Sequence, residues 1–403
     1  MSSEFLTVLQ WVCGVPVLVG SVYGLLCLAA ALLFRSGTQP ASRFTHWPPV
    51  TILKPVHGLE KNLKESLRTA CLQDYPAFQV VFSVQELDDP AIPLLHEIQR
   101  EFGADRVTVA IEHRRAGCNG KINNLLGALP YARHDMLVIS DSDVRLRPDY
   151  LKTIVAPLAD PQVGAVCTLY KATDADRWFE RMELLSLNAD FLPNVVFAGL
   201  TGASRFCLGA STALRRSTLK EIGGLESLGD YLVEDYEMGR RIAGAGKRLV
   251  LLPYCVDTVV DLKSLRQWWD HQVYWDQNTR AAQPLGFFGT VLTKSVPFGF
   301  LFVVLRGGDV LGLSILAAAL AIRLLSATGI ALQFQDRQGL ASLLLLPCRD
   351  LAALVSWVLA FTKPTTVWRG VEFTLTRDGR LVGRETACDS SSSPATTSVS
   401  PSR

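Results

Sequence analysis

Two aspartates one residue apart, Asp141 and Asp143, directly follow the apolar run Met136–Ser140 (MLVIS). In an extended chain residues i and i+2 point to the same side, so this pair can offer two hard oxygen ligands to one divalent cation. A second apolar run, Phe78–Val84 (FQVVFSV), is also followed by acids, Asp88 and Asp89. A third acidic site, Glu234-Asp235, opens EDYEMGRRIAGAG, a helix that the Gly244–Gly246 region closes. Each site has a plain reading as well. An isolated D-x-D is commonly a solvated turn whose Asp caps the next helix, and Glu234-Asp235 taken alone is a helix N-cap. Position after buried strands, and the company of the other acids, favours chemistry. Neither G-x-x-x-x-G-K-S/T nor G-x-S-x-G occurs, so P-loop phosphoryl transfer and α/β-hydrolase chemistry are not supported. The three acidic sites together suggest metal-assisted chemistry on a phosphorylated donor.

The elements that must position these acids alternate. Val50–Val56 (VTILKPV), Phe78–Val84, Val107–Ile111 and Met136–Ser140 are short β-rich runs. Between them, Leu63, Leu67 and Cys71, and then Ile92, Leu95 and Ile98, recur at helical spacing. Strand alternating with helix predicts an α/β domain with a mostly parallel, two-faced sheet. Such sheets bind ligands beyond the carboxyl ends of their strands, where the acids stand.

The composition, 49% apolar with mean hydropathy +0.22, places part of the chain in lipid. Phe5–Phe34 carries no charge and exceeds the roughly 20 residues needed to cross a hydrocarbon core. It is too long for a cleaved signal peptide and lacks a basic segment ahead of it. Arg35 and Arg43 follow, so the positive-inside tendency predicts a cytoplasmic catalytic domain in an integral membrane protein. Apolar density returns at Ser295–Leu305, at Val310–Gln335 and at Leu340–Thr362, predicting two to three C-terminal transmembrane helices. Arg349-Asp350 either splits the last segment with a loop or forms a pair screened inside it. Leu265–Arg280, with Trp268, Trp269, Tyr274 and Trp275, reads as an amphipathic helix at the bilayer surface, or else as core packing. The expected organisation is a membrane helix and linker over 1–40, the α/β domain over 45–262 and the interfacial helix over 263–284. Membrane segments then fill 286–365, and a polar, largely disordered tail 366–403. A net charge of +2 gives no basis for binding nucleic acid, and the nine scattered cysteines suggest neither zinc nor a disulfide framework.

The runs KPVHGLEKNLKESLRTACLQDYPAFQVVFSVQELDDPAI, GCNGKINNL, SDSDVRLRPDYL and VEDYEM, in this order, resemble the ceramide glucosyltransferase family, including its bacterial hopanoid-associated relatives. That resemblance spans residues 50–280. It implies a GT-A fold, with Asp88 and Asp89 in a first acidic site at the nucleotide. It implies that Asp141 and Asp143 hold Mg²⁺ or Mn²⁺ on the donor diphosphate, and that Asp235 is the catalytic base. Lys121 and Asn123 match the family's KINN segment and would line the donor pocket, a helix-start role being the other reading of Asn123. FCLGAS, with Cys207 and Gly209, would lie near the acceptor together with Glu234, Trp268 and Trp269; a buried core strand is the alternative for Cys207.

Two departures stand out. The ceramide enzymes carry glycine where this chain has Asp143, and the terminal Q/R-x-x-R-W motif reads His271-Gln272-Val273-Tyr274-Trp275 here. Tyrosine replaces an arginine that would offer a bidentate fork to diphosphate, leaving His271, Arg266 or Arg280 to supply charge. The function expected from the resemblance is inverting transfer of a hexose, glucose first, from a UDP-sugar to a membrane-lipid hydroxyl at the cytoplasmic face. The transition state would be oxocarbenium-like. UDP-GlcNAc transfer to a hopanoid or other lipid is an alternative. A processive polysaccharide synthase needs more spans and the missing arginine, and a catalytically silent scaffold has little use for the intact acids.

Overall fold

The computed structural model describes residues 3–34, 44, 46–203, 206–362, 365–368, 371–376 and 378–383. Arg35, Arg43 and the part of the expected tail after 383 lie outside the described residues. Eight strands form one sheet: β1 (Val50–Pro55), β2 (Phe78–Val84), β3 (Val107–Ile111), β4 (Met136–Ser140), β5 (Val144–Arg145), β6 (Val163–Thr173), β7 (Ser211–Arg215) and β8 (Arg248–Val259). Their order is β3-β2-β1-β4-β7-β6-β8-β5. The first four pair in parallel, with Val50 opposite both Phe78 and Met136. β7 then runs antiparallel between β4 and β6, and β6 returns to a parallel pairing with β8. β1 and β2 are buried along their whole length, as strands covered by helices on both faces must be. That explains why they read as unbroken apolar runs rather than as alternating ones.

The sheet's β-branched residues and the helix faces bearing Leu67, Leu95, Ile98 and Leu125 close one core. The parallel register brings the carboxyl ends of β1, β2 and β4 to one edge, so the turns carrying Gly58, Asp89 and Asp141 emerge side by side. β7 enters from the opposite direction, and its amino end delivers Gly209-Ala210 to the same edge, where Asp141 N donates to Ala210 O (3.2 Å).

Among the described residues three helical stretches are long and apolar enough to cross a membrane: Glu4–Leu33, Val310–Gln333 and Arg337–Thr362. A fourth candidate is the bent pair Pro284–Thr293 and Ser295–Leu305, which turns by 53°. Arg349 and Asp350 do not split the last helix; both are buried within Leu346–Thr362. Arg323 Nε donates to Asp350 Oδ2 (2.8 Å) and its Nη2 to Asp190 Oδ1 (2.7 Å), while Arg349 pairs with Asp190 and with Asp350. Two cations thus meet two carboxylates, which removes the penalty of an isolated charge in lipid. Beside them a cavity of about 70 Å³ is lined by Tyr23, Cys27, Asn194, Lys294 and Ser326.

The expectation of a largely disordered tail from 366 needs correction. Thr365–Trp368, Val371–Leu375 and Leu381–Gly383 form a three-stranded antiparallel sheet. Phe373 and Leu381 are buried against Leu232, apolar anchors that the surrounding polar composition concealed.

Candidate active site

Asn119 begins the site. Its side chain accepts from Ile122 N (3.0 Å) and so caps the helix Gly120–Ala128, whose first turn carries Lys121. The capping turn is held by its surroundings: Asn119 N donates to Gly229 O (2.7 Å) and Cys118 N to Asp230 Oδ1 (3.1 Å). Gly117 permits that contact, since a Cβ there would stand 2.4 Å from Gly229. Asn123 is turned into the same loop, accepting from Ala116 N (2.8 Å) and donating to Gly117 O (2.9 Å). Asn119 rather than Asn123 is the cap, and Asn123 braces the turn that presents Lys121.

Lys121 Nζ reaches three groups from three elements. It lies 2.7 Å from Asp141 Oδ1 after β4, 3.2 Å from Glu234 Oε1 on the helix Glu234–Gly244, and donates to Gly209 O before β7 (3.0 Å). Burial works against its charge, but Asp141, Glu234 and Asp235 outweigh that and hold the ammonium above the ordinary lysine range. Glu234 Oε2 accepts from Asn119 Nδ2 (3.0 Å), so both of its oxygens are committed. Asp235 accepts from Tyr236 N (2.8 Å), and burial, then Glu234, push its carboxyl up to about 7. A Cβ at Gly209 would stand 3.0 Å from Asp235 Oδ2 and 3.4 Å from Lys121 Nζ, so the glycine leaves room beside the acid.

The turn after β4 is fixed from below. Lys54, the last residue but one of β1 and fully buried, donates to Asp141 O (2.6 Å) and Val144 O (2.9 Å). Burial lowers its pKa to about 8, while Asp143 and Asp141 oppose the fall. Ser142 Oγ donates to Glu60 Oε2 (2.7 Å), and Thr258 Oγ1 to Asp143 Oδ2 (2.5 Å). Burial and then Asp141 raise the Asp143 carboxyl above its ordinary range, as expected of two like charges in a confined space. Among the described residues no group of three or more His, Cys, Asp or Glu is arranged around a metal position. Asp141 and Asp143 are two hard-oxygen ligands whose mutual repulsion a divalent cation would relieve, and in this they fit one.

Asp89 and Asp88 part company. Asp88 is exposed, whereas Asp89 is buried and its carboxylate accepts from Gly58 N (3.0 Å) and Ala91 N (2.8 Å). Asp89 therefore ties the turn after β1 to the turn after β2.

The aromatic helix Leu265–Ala282 distributes its residues differently from the sequence expectation. Trp268 is buried against Met182, Leu184 and Leu262, with Trp269 packed beside it, so core packing wins over a headgroup position for Trp268. His271 Nδ1 lies 2.9 Å from Glu183 Oε1, and its Nε2 accepts from Trp275 Nε1 (3.0 Å). Burial disfavours the charged ring, but Glu183 outweighs it and raises the pKa. Protonation of Nε2 would still displace the Trp275 hydrogen bond, so this geometry is that of the neutral Nδ1–H ring. Arg266 pairs with Asp270 at the surface and Arg280 lies over Phe361. Tyr274 stacks on His271 (6.1 Å, 10°) and packs on the cluster of Leu232, Phe373 and Leu381. Burial pushes its hydroxyl up to about 12, with Glu234 and Asp235 adding to the effect. Cys207 is buried beside Cys167, a core position.

The sequence reading missed Lys54, Asn119 and Thr258. A lysine inside the apolar run VTILKPV was the available signal for the first; the other two act through tertiary contacts. Also missed was the C-terminal hairpin, where Leu381 N donates to Asp230 O (2.7 Å) and Leu232 N to Gly379 O (3.0 Å). It thereby grips the loop that leads into Glu234-Asp235.

The chain as a whole is similar to known proteins. The ceramide glucosyltransferase 1 of Caenorhabditis elegans is 27% identical over 203 residues, covering 49% of this chain and 43% of that protein. The same organism's ceramide glucosyltransferase 3 is 23% identical over 349 residues, 83% of this chain and 74% of the relative. The chain thus spans less than half of the first relative's length. A mannosyltransferase from Pyrobaculum calidifontis, solved with GDP-mannose and Mn²⁺, superposes with a TM-score of 0.52 at 21% identity, over 87% of this chain and 99% of that one, which shows a shared GT-A fold. The family model for glycosyl transferase family 21 matches residues 12–381. With nearly its whole described length inside that match, the chain belongs to glycosyl transferase family 21.

Proposed function

We propose that this protein is an inverting glycosyltransferase that moves a hexose, glucose first among candidates, from a UDP-sugar to the hydroxyl of a ceramide-like membrane lipid at the cytoplasmic face. The observation that carries the reading is the convergence on Lys121 of Asp141, from the D-x-D turn, and of Glu234, the neighbour of Asp235. Donor-binding and acceptor-activating carboxylates are thereby held within one side chain's reach of each other.

Asp235 takes the acceptor proton. With its carboxyl at about 7 it is part-ionised near neutral pH and basic enough to accept a proton as the hydroxyl oxygen bonds to the anomeric carbon. The same movement breaks the bond from that carbon to the diphosphate oxygen, with inversion. Lys121 keeps Asp141 and Glu234 from repelling each other and adds a fixed positive charge beside the leaving diphosphate. Gly209 keeps the space next to Asp235 Oδ2 open for the acceptor oxygen. Asp141 and Asp143 would hold Mg²⁺ or Mn²⁺, which when bound neutralises diphosphate charge and so eases UDP departure. The transmembrane helices and the helix Leu265–Ala282 keep this edge of the sheet at the bilayer, where a lipid hydroxyl need not leave the membrane.

The test is UDP release by the full chain in lipid nanodiscs, with Mg²⁺ or Mn²⁺ against EDTA, across UDP-sugars with and without ceramide. Release that requires both the cation and one lipid supports the reading. Asp141→Ala or Asp143→Ala should abolish cation-dependent donor binding, and Asp235→Asn should bind donor but not turn over. Wild-type turnover in Asp235→Asn would remove the base assignment.

A further inference from the structure

The helical stretch Arg337–Thr362 has the length and hydropathy of a membrane span, yet it is tied to the catalytic domain at both ends. Just before it, Phe334 O accepts from Lys171 Nζ (2.9 Å) and Asp336 Oδ2 from Asn188 Nδ2 (2.8 Å); in its first turn, Gln338 Oε1 accepts from Ala175 N (3.2 Å). Just after it, Thr365 O accepts from Gln277 Nε2 (2.9 Å), and the following strands bond to Asp230 and Leu232 beside the active site. Twenty-six residues of helix extend about 39 Å at 1.5 Å per residue. Upright, it would separate its ends by the roughly 30 Å of a hydrocarbon core. Partners on one domain are incompatible with that separation.

Its neighbour gives the direction. Leu265–Ala282 is also anchored at both ends, by Arg177 Nη1 to Lys263 O (3.1 Å) just before it and Gln283 Nε2 to Tyr236 Oη (2.8 Å) just after it. The two helices run alongside each other in the same sense. Trp268 and Trp269 pack near Leu345 and Ala352, Ser356 Oγ donates to Asp276 Oδ2 (2.6 Å), and Arg280 lies over Phe361. Helices that do cross behave differently. Gln10 bonds to Leu305 O at one end of the N-terminal helix and Gln333 to Phe34 O at the other. The 24 steps from Gln10 to Phe34 extend about 36 Å, enough to span.

We propose that Arg337–Thr362 does not cross the bilayer but lies in the leaflet on the catalytic side. Its inner face carries Arg349, Asp350 and Ser356 onto the protein, and its outer face carries Leu344, Leu351, Val355 and Val358 among the acyl chains. The occupant of this apolar face is that leaflet, because the face continues the exposed apolar surface of the spanning helix Val310–Gln333, which leads directly into it. The chain then crosses three times, through Glu4–Leu33, the bent pair and Val310–Gln333. The turn Arg306–Asp309 stands on the far side, and the hairpin Val371–Gly383 on the catalytic side. The inference is independent of which sugar or lipid the enzyme uses.

Epitopes placed in the Gly307-Gly308 turn, at the exposed Gly103 turn of the catalytic domain and after Arg403 test it by antibody access on sealed vesicles of either orientation. The epitopes at Gly103 and after Arg403 should be reached together, and the one at Gly307-Gly308 only from the opposite side. Access to the Arg403 epitope together with the Gly307-Gly308 epitope would overturn the proposal. Single nitroxides at the lipid-facing positions Leu351, Val355 and Val358 give a second reading. An in-plane helix places all three at one shallow depth, whereas a crossing helix spreads them over about 10 Å at 1.5 Å per residue.

Discussion

Lys121 Nζ sits 2.7 Å from Asp141 Oδ1, a contact that joins the cap of one helix to the acidic turn after β4. Without that ammonium, Asp141, Glu234 and Asp235 would face one another with no cation among them. Lys121→Met should therefore lower turnover by about 10²–10³-fold, the scale of losing one charge-stabilising group. Removing one partner of a buried ion pair costs about 3–5 kcal/mol, so a reduced melting temperature should accompany the loss. Lys121 also holds the Asp235 pKa down, and the pH–rate midpoint of the variant should move to higher pH. An unmoved midpoint with full donor affinity would show that Lys121 does not act on Asp235.

Asp235 sets the expected pH dependence. As a base it works ionised, so turnover should rise with pH through a midpoint of about 7. Stability runs the other way. The folded carboxyl has a raised pKa, so its contribution is complete below the ordinary aspartate range near 4 and is lost as pH rises through 7. Asp235→Asn should melt higher than the parent chain at pH 8, with the gap closing as pH falls towards 4, while turnover disappears. Equal melting curves at pH 8 would mean that the acid is not strained in the fold.

Gly209 gives a steric test of the same acid. Gly209→Ala places a methyl 3.0 Å from Asp235 Oδ2, closer than an ordinary contact. Asp235 must shift by a few tenths of an ångström, and misplacement of a reacting group on that scale lowers rate more than binding. The variant should keep donor affinity, measured by UDP-sugar titration, and lose turnover by about 10–100-fold. A loss of donor affinity alone would place Gly209 at the donor rather than beside the base.

How much of this was legible in the chain follows from range. β1, β2 and β4 were readable because each is a short apolar run ending in polar turn residues, and the acids stand where such strands deliver them. Asp141 and Asp143 could be located from that pattern, and Glu234-Asp235 from the helix that it opens. Asn123 and Asp89 could be located but not understood, since their hydrogen bonds go to Gly117 and Gly58, contacts set by how loops fold back. The hairpin after Thr365 was hidden because only a few apolar residues, Phe373 and Leu381 among them, anchor it, and their partner Leu232 lies far away in sequence. Hydropathy marked Leu340–Thr362 as apolar, but periodicity alone does not distinguish a span from a helix with one charged face turned to protein.

Tyr274, where relatives are expected to carry arginine, permits a last decision. Its ring is stacked on His271 and packed against the cluster of Leu232 and Phe373 that fastens the hairpin. An arginine there gives up ring contacts and brings a second cation near Lys121, so Tyr274→Arg should destabilise the chain by about 1–3 kcal/mol, as misfitting core changes do. Tyr274→Phe keeps the packing and loses only the hydroxyl bonded to Asn278, a cost of about 1 kcal/mol. The decisive comparison is UDP-sugar affinity alongside melting temperature for both variants. Tighter donor binding in Tyr274→Arg at unchanged stability would mean that the arginine's place at the diphosphate is still open and that the hairpin does not depend on the tyrosine. Lower stability with no gain in affinity would show that this chain has turned the position from donor binding to holding the loop that presents Glu234 and Asp235.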